Sequence, residues 1–245
     1  MKPTAIVVGV GAANGLGATL CRRFAAEGHH VLVAGRTMAR IDAVVEQITR
    51  AGGSAEPMPV DTTQEHEVIA LFEKAFAVDG GRDAPNLVVF NAGANRLMDF
   101  LSLEAEEFER FWRVGCFGGF LVGREAARRM APLGRGTILF TGASASLRGR
   151  PGFAQFAAAK AGLRMVAQSM AREFGPKGIH VGHVVIDGGI DGPVLRGNWP
   201  TVVQDKGEDG MLEPEPIAEA FWMLHKQHPS AWSHEIDLRP FKEHF

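Results

Sequence analysis

Thr4-Ala5-Ile6-Val7-Val8-Gly9-Val10, followed by Gly11-Ala12-Ala13-Asn14-Gly15-Leu16-Gly17, decides how the rest of the chain is read. The first seven residues are an apolar, β-branched run of a length suited to a buried strand. Leu16, Leu20 and Phe24 then recur at helical spacing. Between them lies a G-x-x-x-G-x-G turn. Glycine lets a backbone turn tightly and approach a pyrophosphate closely. The helix that follows presents free N–H groups and the positive end of its dipole to such an anion. Gly11, Asn14, Gly15, Leu16 and Gly17 are therefore candidate dinucleotide-binding residues. A plain strand-to-helix turn is the other reading, and the context must choose between them.

The context repeats the same unit. His30 to Ala34 reads as a second buried strand, and Ile41, Val44, Val45 and Ile48 mark a helix ending at Gly52-Gly53. A third strand is expected from Ala55 to Val60. Thr62 and Glu65 have capping-box spacing ahead of a helix that buries Val68, Phe72 and Phe76. Leu87 to Phe90 is a strand, Leu103 to Met130 is helical around Gly115, Gly118 and Gly119, and Thr137 to Phe140 is a strand. Leu163, Val166, Met170 and Phe174 mark another helix, and Val181 to Ile186 another strand. Gly188 to Pro214 reads as irregular, Ile217, Phe221 and Leu224 as a last helix, and Glu235 to Leu238 as a final strand. Alternating strands and helices imply parallel pairing through right-handed crossovers. Near-continuously apolar strands imply helices on both sheet faces. The expectation is a Rossmann-type, doubly wound α/β/α domain of about seven strands over 1–245, with its ligand site outside the strand C-terminal ends.

Composition excludes several classes. The chain has 245 residues, 46% hydrophobic and 22% charged, with a net charge of -2. That charge argues against general nucleic-acid binding, which needs a basic excess. No apolar run approaches the ~18 residues of a membrane span. The apolar N-terminus is broken by glycines and reads as strand and turn rather than signal peptide. Only Cys21 and Cys116 are present, which fits a reducing, cytoplasmic setting without a disulfide framework. No metal site is expected. There is no tyrosine.

The second strand ends Val33-Ala34-Gly35-Arg36-Thr37. An acidic residue about 20 positions past the glycines is the usual partner of an NAD ribose 2′-hydroxyl. Here Arg36 takes that place, with Thr37 beside it and Arg40 one turn on. A guanidinium suits a 2′-phosphate, so the expected cofactor is NADP(H). A solvated arginine at a strand end is the bland reading.

Together with the glycine turn, Asp61 after the third strand, Asn91-Ala92-Gly93 after the fourth, and Lys160 stand in an order that resembles the short-chain dehydrogenase/reductase family over essentially the whole chain. The resemblance implies that Asp61, with Thr62, contacts the adenine side and that Asn91, Ala92 and Gly93 support the cofactor wall. It implies that Lys160 holds the nicotinamide ribose, and that Gly188 stands where the family's Pro-Gly borders the nicotinamide. Read alone, Asp61 is a helix-cap residue and Asn91 a turn residue. The resemblance also implies a small-molecule substrate and a homodimer or homotetramer.

The departures carry as much information. The family's catalytic pair is Tyr-x-x-x-Lys; here it is Phe156-Ala157-Ala158-Ala159-Lys160. The i,i+4 spacing puts both side chains on one helix face, but phenylalanine has no proton to exchange. The family's serine, thirteen residues earlier, falls on Ala143, with Ser144 one position out of register. Its asparagine falls on Gly115. Lys160, Phe156 and Ser144 are the candidate catalytic positions. Asp187 reads equally as substrate ligand or turn residue, and His180 and His183 as satisfied core histidines. The segment 189–212, with Arg196, Trp199 and Pro200, occupies the family's substrate-lid position. Two functions follow. One is an NADP(H)-dependent oxidoreductase with an altered catalytic set. The other is a catalytically inactive NADP(H)-binding module acting as a sensor or partner subunit.

Overall fold

A computed structural model describes residues 2–77 and 82–243, with the side chain of Val194 left aside. Strand β1 (Lys2–Val8) runs into α1 (Leu16–Ala26), β2 (His30–Gly35), α2 (Met38–Arg50), β3 (Ser54–Pro59), α3 (Glu65–Phe76) and β4 (Arg82–Phe90). The second half continues with α4 (Ala105–Trp112), α5 (Gly118–Met130), β5 (Gly136–Thr141), α6 (Ala154–Phe174) and β6 (Ile179–Ile186). Two short helices, α7 (Pro193–Asn198) and α8 (Pro200–Lys206), precede α9 (Pro214–Lys226) and β7 (Glu235–Leu238). The seven strands form one sheet in the order β3-β2-β1-β4-β5-β6-β7, and every pairing is parallel. The order reverses between β1 and β4, which opens the crevice where such sheets bind ligands.

The strand period of two sorts the core. Ala5 and Val7 of β1 face a layer that includes α1, α2 and α9, while Ile6 and Val8 face α3, α5 and α6. Both faces are thus covered, which is why the strands read as continuous apolar runs.

Several boundaries differ from the sequence expectation. β4 begins at Arg82, five residues before Leu87. Its extra residues pair irregularly, with register shifts between Lys2 and Ala5 on β1. Pro85 has no N–H to give the ladder there. The Thr62–Glu65 capping box does not form: the residue preceding α3 is Gln64, whose side chain makes no cap bond. Instead the Asp61 carboxylate accepts from the Thr63 amide at 2.9 Å and hydroxyl at 2.8 Å, and Glu67 accepts from the Asp61 amide at 2.7 Å. The long helix expected from Leu103 to Met130 is interrupted by a π-helical turn, Arg113–Phe117, centred on Gly115. The stretch read as irregular from Gly188 to Pro214 contains α7 and α8, each opened by a proline at its first turn.

Candidate functional site

The site lies at the C-terminal ends of β1, β4, β5 and β6. Gly9 follows β1 directly with φ +93°, and a Cβ there would stand 2.4 Å from the Ala92 amide nitrogen. Only glycine lets the first turn lie against the end of β4. The Asn91 amide donates to the Val8 carbonyl at 2.8 Å, and its side-chain amide donates to the Gly9 carbonyl at 3.4 Å. Asn91 thus ties the two strand ends together. Past them, α1 starts at Leu16 with no side-chain cap and no acid in its first turn. Its leading N–H groups stay available to an anion.

Two connected chambers follow this turn. The smaller, about 230 Å³, is bordered by Arg36, Thr37, Arg40, Asp61, Thr62 and Ala92. The larger, about 430 Å³, is bordered by Gly15, Leu16, Gly17, Ser144, Phe156, Lys160 and Gly188. Gly11, Asn91 and Gly93 border both. The fold therefore brings together nearly all the residues singled out in the sequence. Asn14 is the exception: it is exposed on the far side of the turn, beside Arg22 and Asp191, and borders neither chamber.

The two chambers differ in chemistry. Arg36 and Arg40 are exposed, and the guanidinium of neither makes a hydrogen bond or ion pair among the described residues. Arg40 sits in the first turn of α2, which has no side-chain cap and no acid there. A cation at a helix N-terminus is electrostatically unfavourable by itself, and an anion beside it reverses that sign. In the larger chamber, Lys160 is 4% exposed. Its Nζ donates to the Thr141 carbonyl at 2.7 Å, and burial pushes its pKa down to about 8. A surface lysine is ruled out. A Cβ on Gly93 would stand 3.2 Å from this Nζ, so the glycine keeps the approach to the ammonium clear.

The substrate side of the larger chamber is apolar. Phe156, Ala143, Ile190, Leu195 and Trp199 all border it. Gly115 lies against Ala159, whose Cβ would be 3.0 Å from a Cβ placed there. Ser144 opens a short 3-10 turn after β5 and borders the chamber. Ser146, two residues on, is buried.

Other residues weighed in the sequence have structural partners. Asp187 is 1% exposed and accepts two hydrogen bonds from Arg148, at 2.7 and 3.0 Å, with Arg239 at 3.7 Å. It is a buried ion-pair residue rather than a substrate ligand. His180 lies 2.9 Å from the Ser233 carbonyl and stacks on Trp232. His183 lies 2.8 Å from a Glu235 carboxylate oxygen. Both are satisfied core histidines. Sequence reasoning missed Thr141 and Gly142, which contribute backbone atoms and leave no side-chain signature. It also missed Ile190 and Leu195, whose apolar identity in an irregular stretch carries no periodic signal.

Residues 4–200 match the family model described as short chain dehydrogenase. The chain is 32% identical over 215 residues to an uncharacterised oxidoreductase, YuxG, of Bacillus subtilis, covering 86% of this chain but 30% of that protein. It is 30% identical over 224 residues to the cis-4-hydroxycyclohexanecarboxylate dehydrogenase of Sinomonas cyclohexanicum, covering 89% of this chain and 88% of that one. A solved structure of a short-chain dehydrogenase from Rhodopseudomonas palustris is 39% identical, with a TM-score of 0.81, over 98% of this chain and 100% of that one. This chain belongs to the short-chain dehydrogenase/reductase family, a family of oxidoreductases that bind a nicotinamide cofactor in this crevice. No helix among the described residues is long and apolar enough to cross a membrane.

Proposed function

We propose that this chain is an NADP(H)-dependent oxidoreductase that moves hydride to or from a small, largely apolar molecule with an altered catalytic set. The observation that carries the cofactor choice is the unpaired pair Arg36 and Arg40 at the uncapped start of α2. Two free guanidiniums on a helix N-terminus make a site for a dianion, and a 2′-phosphate is the part of the cofactor that supplies one. Gly11, Gly15, Leu16 and Gly17 would cradle the pyrophosphate. Asp61 and Thr62 would border the adenine, Asn91 to Gly93 would form the wall, and Lys160 would hold the nicotinamide ribose. When bound, NADP(H) supplies or accepts the hydride.

The chain's own residues then do three things. The strand ends and Lys160 orient the cofactor. Phe156, Trp199, Leu195 and Ile190 exclude water from the reacting face. Ser144 brings a hydroxyl from the strap between β5 and α6 to the border of the chamber. The segment 189–212 is proposed as the substrate lid. It is closed at its neck by Leu212 donating to Gly189 and Asp191 donating to Leu212, each at 2.8 Å, and it carries Trp199 over the chamber. The proposed assembly is a homodimer or homotetramer. Of the apolar positions Phe111, Phe117 and Phe120, which suit either such a contact or the core, Phe120 is 41% exposed and supports the contact, whereas Phe111 is buried and Phe117 packs partly buried against the core.

An inactive NADP(H)-binding module is the second reading, favoured by the retention of the cofactor residues beside Phe156 and Ala143. A panel of ketones, enones and quinones assayed for NADPH oxidation separates the two. The oxidoreductase reading expects slow turnover of simple ketones and measurable turnover of at least one activated acceptor. A protein that binds NADPH and oxidises it with none of them is the inactive module.

A further inference from the structure

Behind the apolar wall, a line of polar atoms that the reading above does not use runs from the half-buried pair Arg164 and Glu235 to the buried His183 and Ser146. Arg164, midway along α6, donates to Glu235 of β7 through Nε and Nη2, each at 2.7 Å. A Glu235 oxygen lies 2.8 Å from His183 Nδ1. His183 Nε2 lies 3.4 Å from the Ser146 hydroxyl oxygen, and the Ala143 amide donates to that same oxygen at 3.1 Å. His183 is fully buried and Ser146 is 5% exposed.

The direction of every bond is fixed by what each atom can do. Held between two arginine N–H groups and the imidazole, the Glu235 carboxylate only accepts, so Nδ1 carries the ring proton. Burial keeps His183 neutral, with its pKa lowered to about 4. Nε2 is then bare and accepts a hydrogen bond from the Ser146 hydroxyl, which leaves the serine oxygen to accept from Ala143. The line ends in an amide, which passes no proton on. It therefore holds geometry and does not conduct. Ser146 is not a nucleophile either: it borders neither chamber, and its oxygen is already engaged.

What the line holds is the strap from Thr141 to Ser146. A Cβ on Gly142 would stand 2.4 Å from the His183 ring, so the strap lies flat on the imidazole. On one side of Gly142 the Thr141 carbonyl takes the Lys160 ammonium; on the other the Ala143 amide is drawn inward to Ser146. Thr141, Gly142, Ala143 and Ser144 of the strap line the larger chamber, and Ser146 does not.

We propose that His183 is a positioning residue of this site: anchored through Nδ1–H on Glu235, it accepts a hydrogen bond from the Ser146 hydroxyl at Nε2 and thereby sets the strap that presents Ala143 and Ser144 to the substrate. Its catalytic meaning rests on the oxidoreductase reading of the cleft, whereas the arrangement itself does not.

The test uses the full-length chain. With ¹⁵N-labelled histidine, NMR is expected to show His183 protonated on Nδ1 and bare on Nε2 from about pH 8 down to about pH 5. Ser146→Ala is expected to speed exchange of the Ala143 amide about tenfold or more and to shift the titration of the Lys160 ammonium, because both lie on the strap. Ser146→Thr, which keeps the hydroxyl, restores both. Ile48→Ala, a core change under α2, leaves both alone. A proton on Nε2, or an Ala143 amide indifferent to Ser146→Ala, overturns the proposal; the wild-type tautomer alone decides it if Ser146→Ala does not fold. NADPH titration of the wild type runs alongside. Failure to bind removes the oxidoreductase reading, while the tautomer and exchange still decide what His183 does.

Discussion

In the proposed reading, Phe156 keeps the aromatic ring of the family's acid without its hydroxyl, and Ala143 lacks the second hydroxyl. Both sit on the wall of the larger chamber, with Lys160 one helical turn from Phe156. Adding the hydroxyls back asks whether the site has decayed or has been rebuilt. In a decayed site, Phe156→Tyr with Ala143→Ser should raise NADPH-dependent ketone reduction by ~10²-fold or more, the usual worth of a positioned general acid, with the tyrosine contributing most. In a rebuilt site, the same change gives no gain and weakens binding of the native ligand by ~1–3 kcal/mol if a hydroxyl is left unpaired. Steady-state rates for both single variants and the double variant, at equal NADPH affinity, separate these outcomes. The residues of this argument were legible because they are side chains at fixed offsets from Lys160. Asp187 was not: its partner Arg148 lies 39 residues away, and no local spacing predicts that pair.

Among the elements, β1 and its turn carry the site, and Gly9 is the joint. Its φ is +93° and its Cβ position is occupied by backbone. Gly9→Ala should therefore destabilise the protein by at least about 2 kcal/mol, combining left-handed strain with a clash that cannot relax. Gly28 is the control: its φ is +91°, with nothing within 4 Å of a Cβ, so Gly28→Ala should cost only about 1–2 kcal/mol. Urea denaturation of both variants checks the difference, and equal losses would show that the contact with Ala92 is not what requires glycine. The identity of most elements was readable from periodicity. Their ends were not, because backbone geometry sets them. β4 extends back to Arg82 through irregular pairings that its sequence does not announce, and the helix after Leu103 changes to π geometry where Gly115 meets α6. The short helices α7 and α8 escaped because a six- or seven-residue helix shows too little of its period.

For the whole molecule, the buried and half-buried histidines set a pH dependence. His29, His30, His180, His183 and His225 are all held below the ordinary imidazole value by burial, His183 and His225 down to about 4. The folded state therefore favours their neutral form. The resulting stability is present in full above the unfolded value near 6.5 and is lost as pH falls toward 4, because the unfolded chain takes up protons first. The melting temperature should drop across that window, and His225→Gln should flatten part of the drop. A melting temperature independent of pH from 6.5 to 4.5 would contradict the burial argument.

The proposed selection of NADP(H) by this crevice rests on Arg36 and Arg40. Titration of the full-length protein with NADPH and with NADH, followed by nicotinamide fluorescence, tests it most directly. A charge-assisted contact to the 2′-phosphate is worth ~1.5–3 kcal/mol, so NADPH should bind about ten- to a hundredfold more tightly, and Arg36→Asp should erase or reverse that preference. Equal affinities for the two cofactors, or tighter binding of NADH by the wild type, would contradict the account.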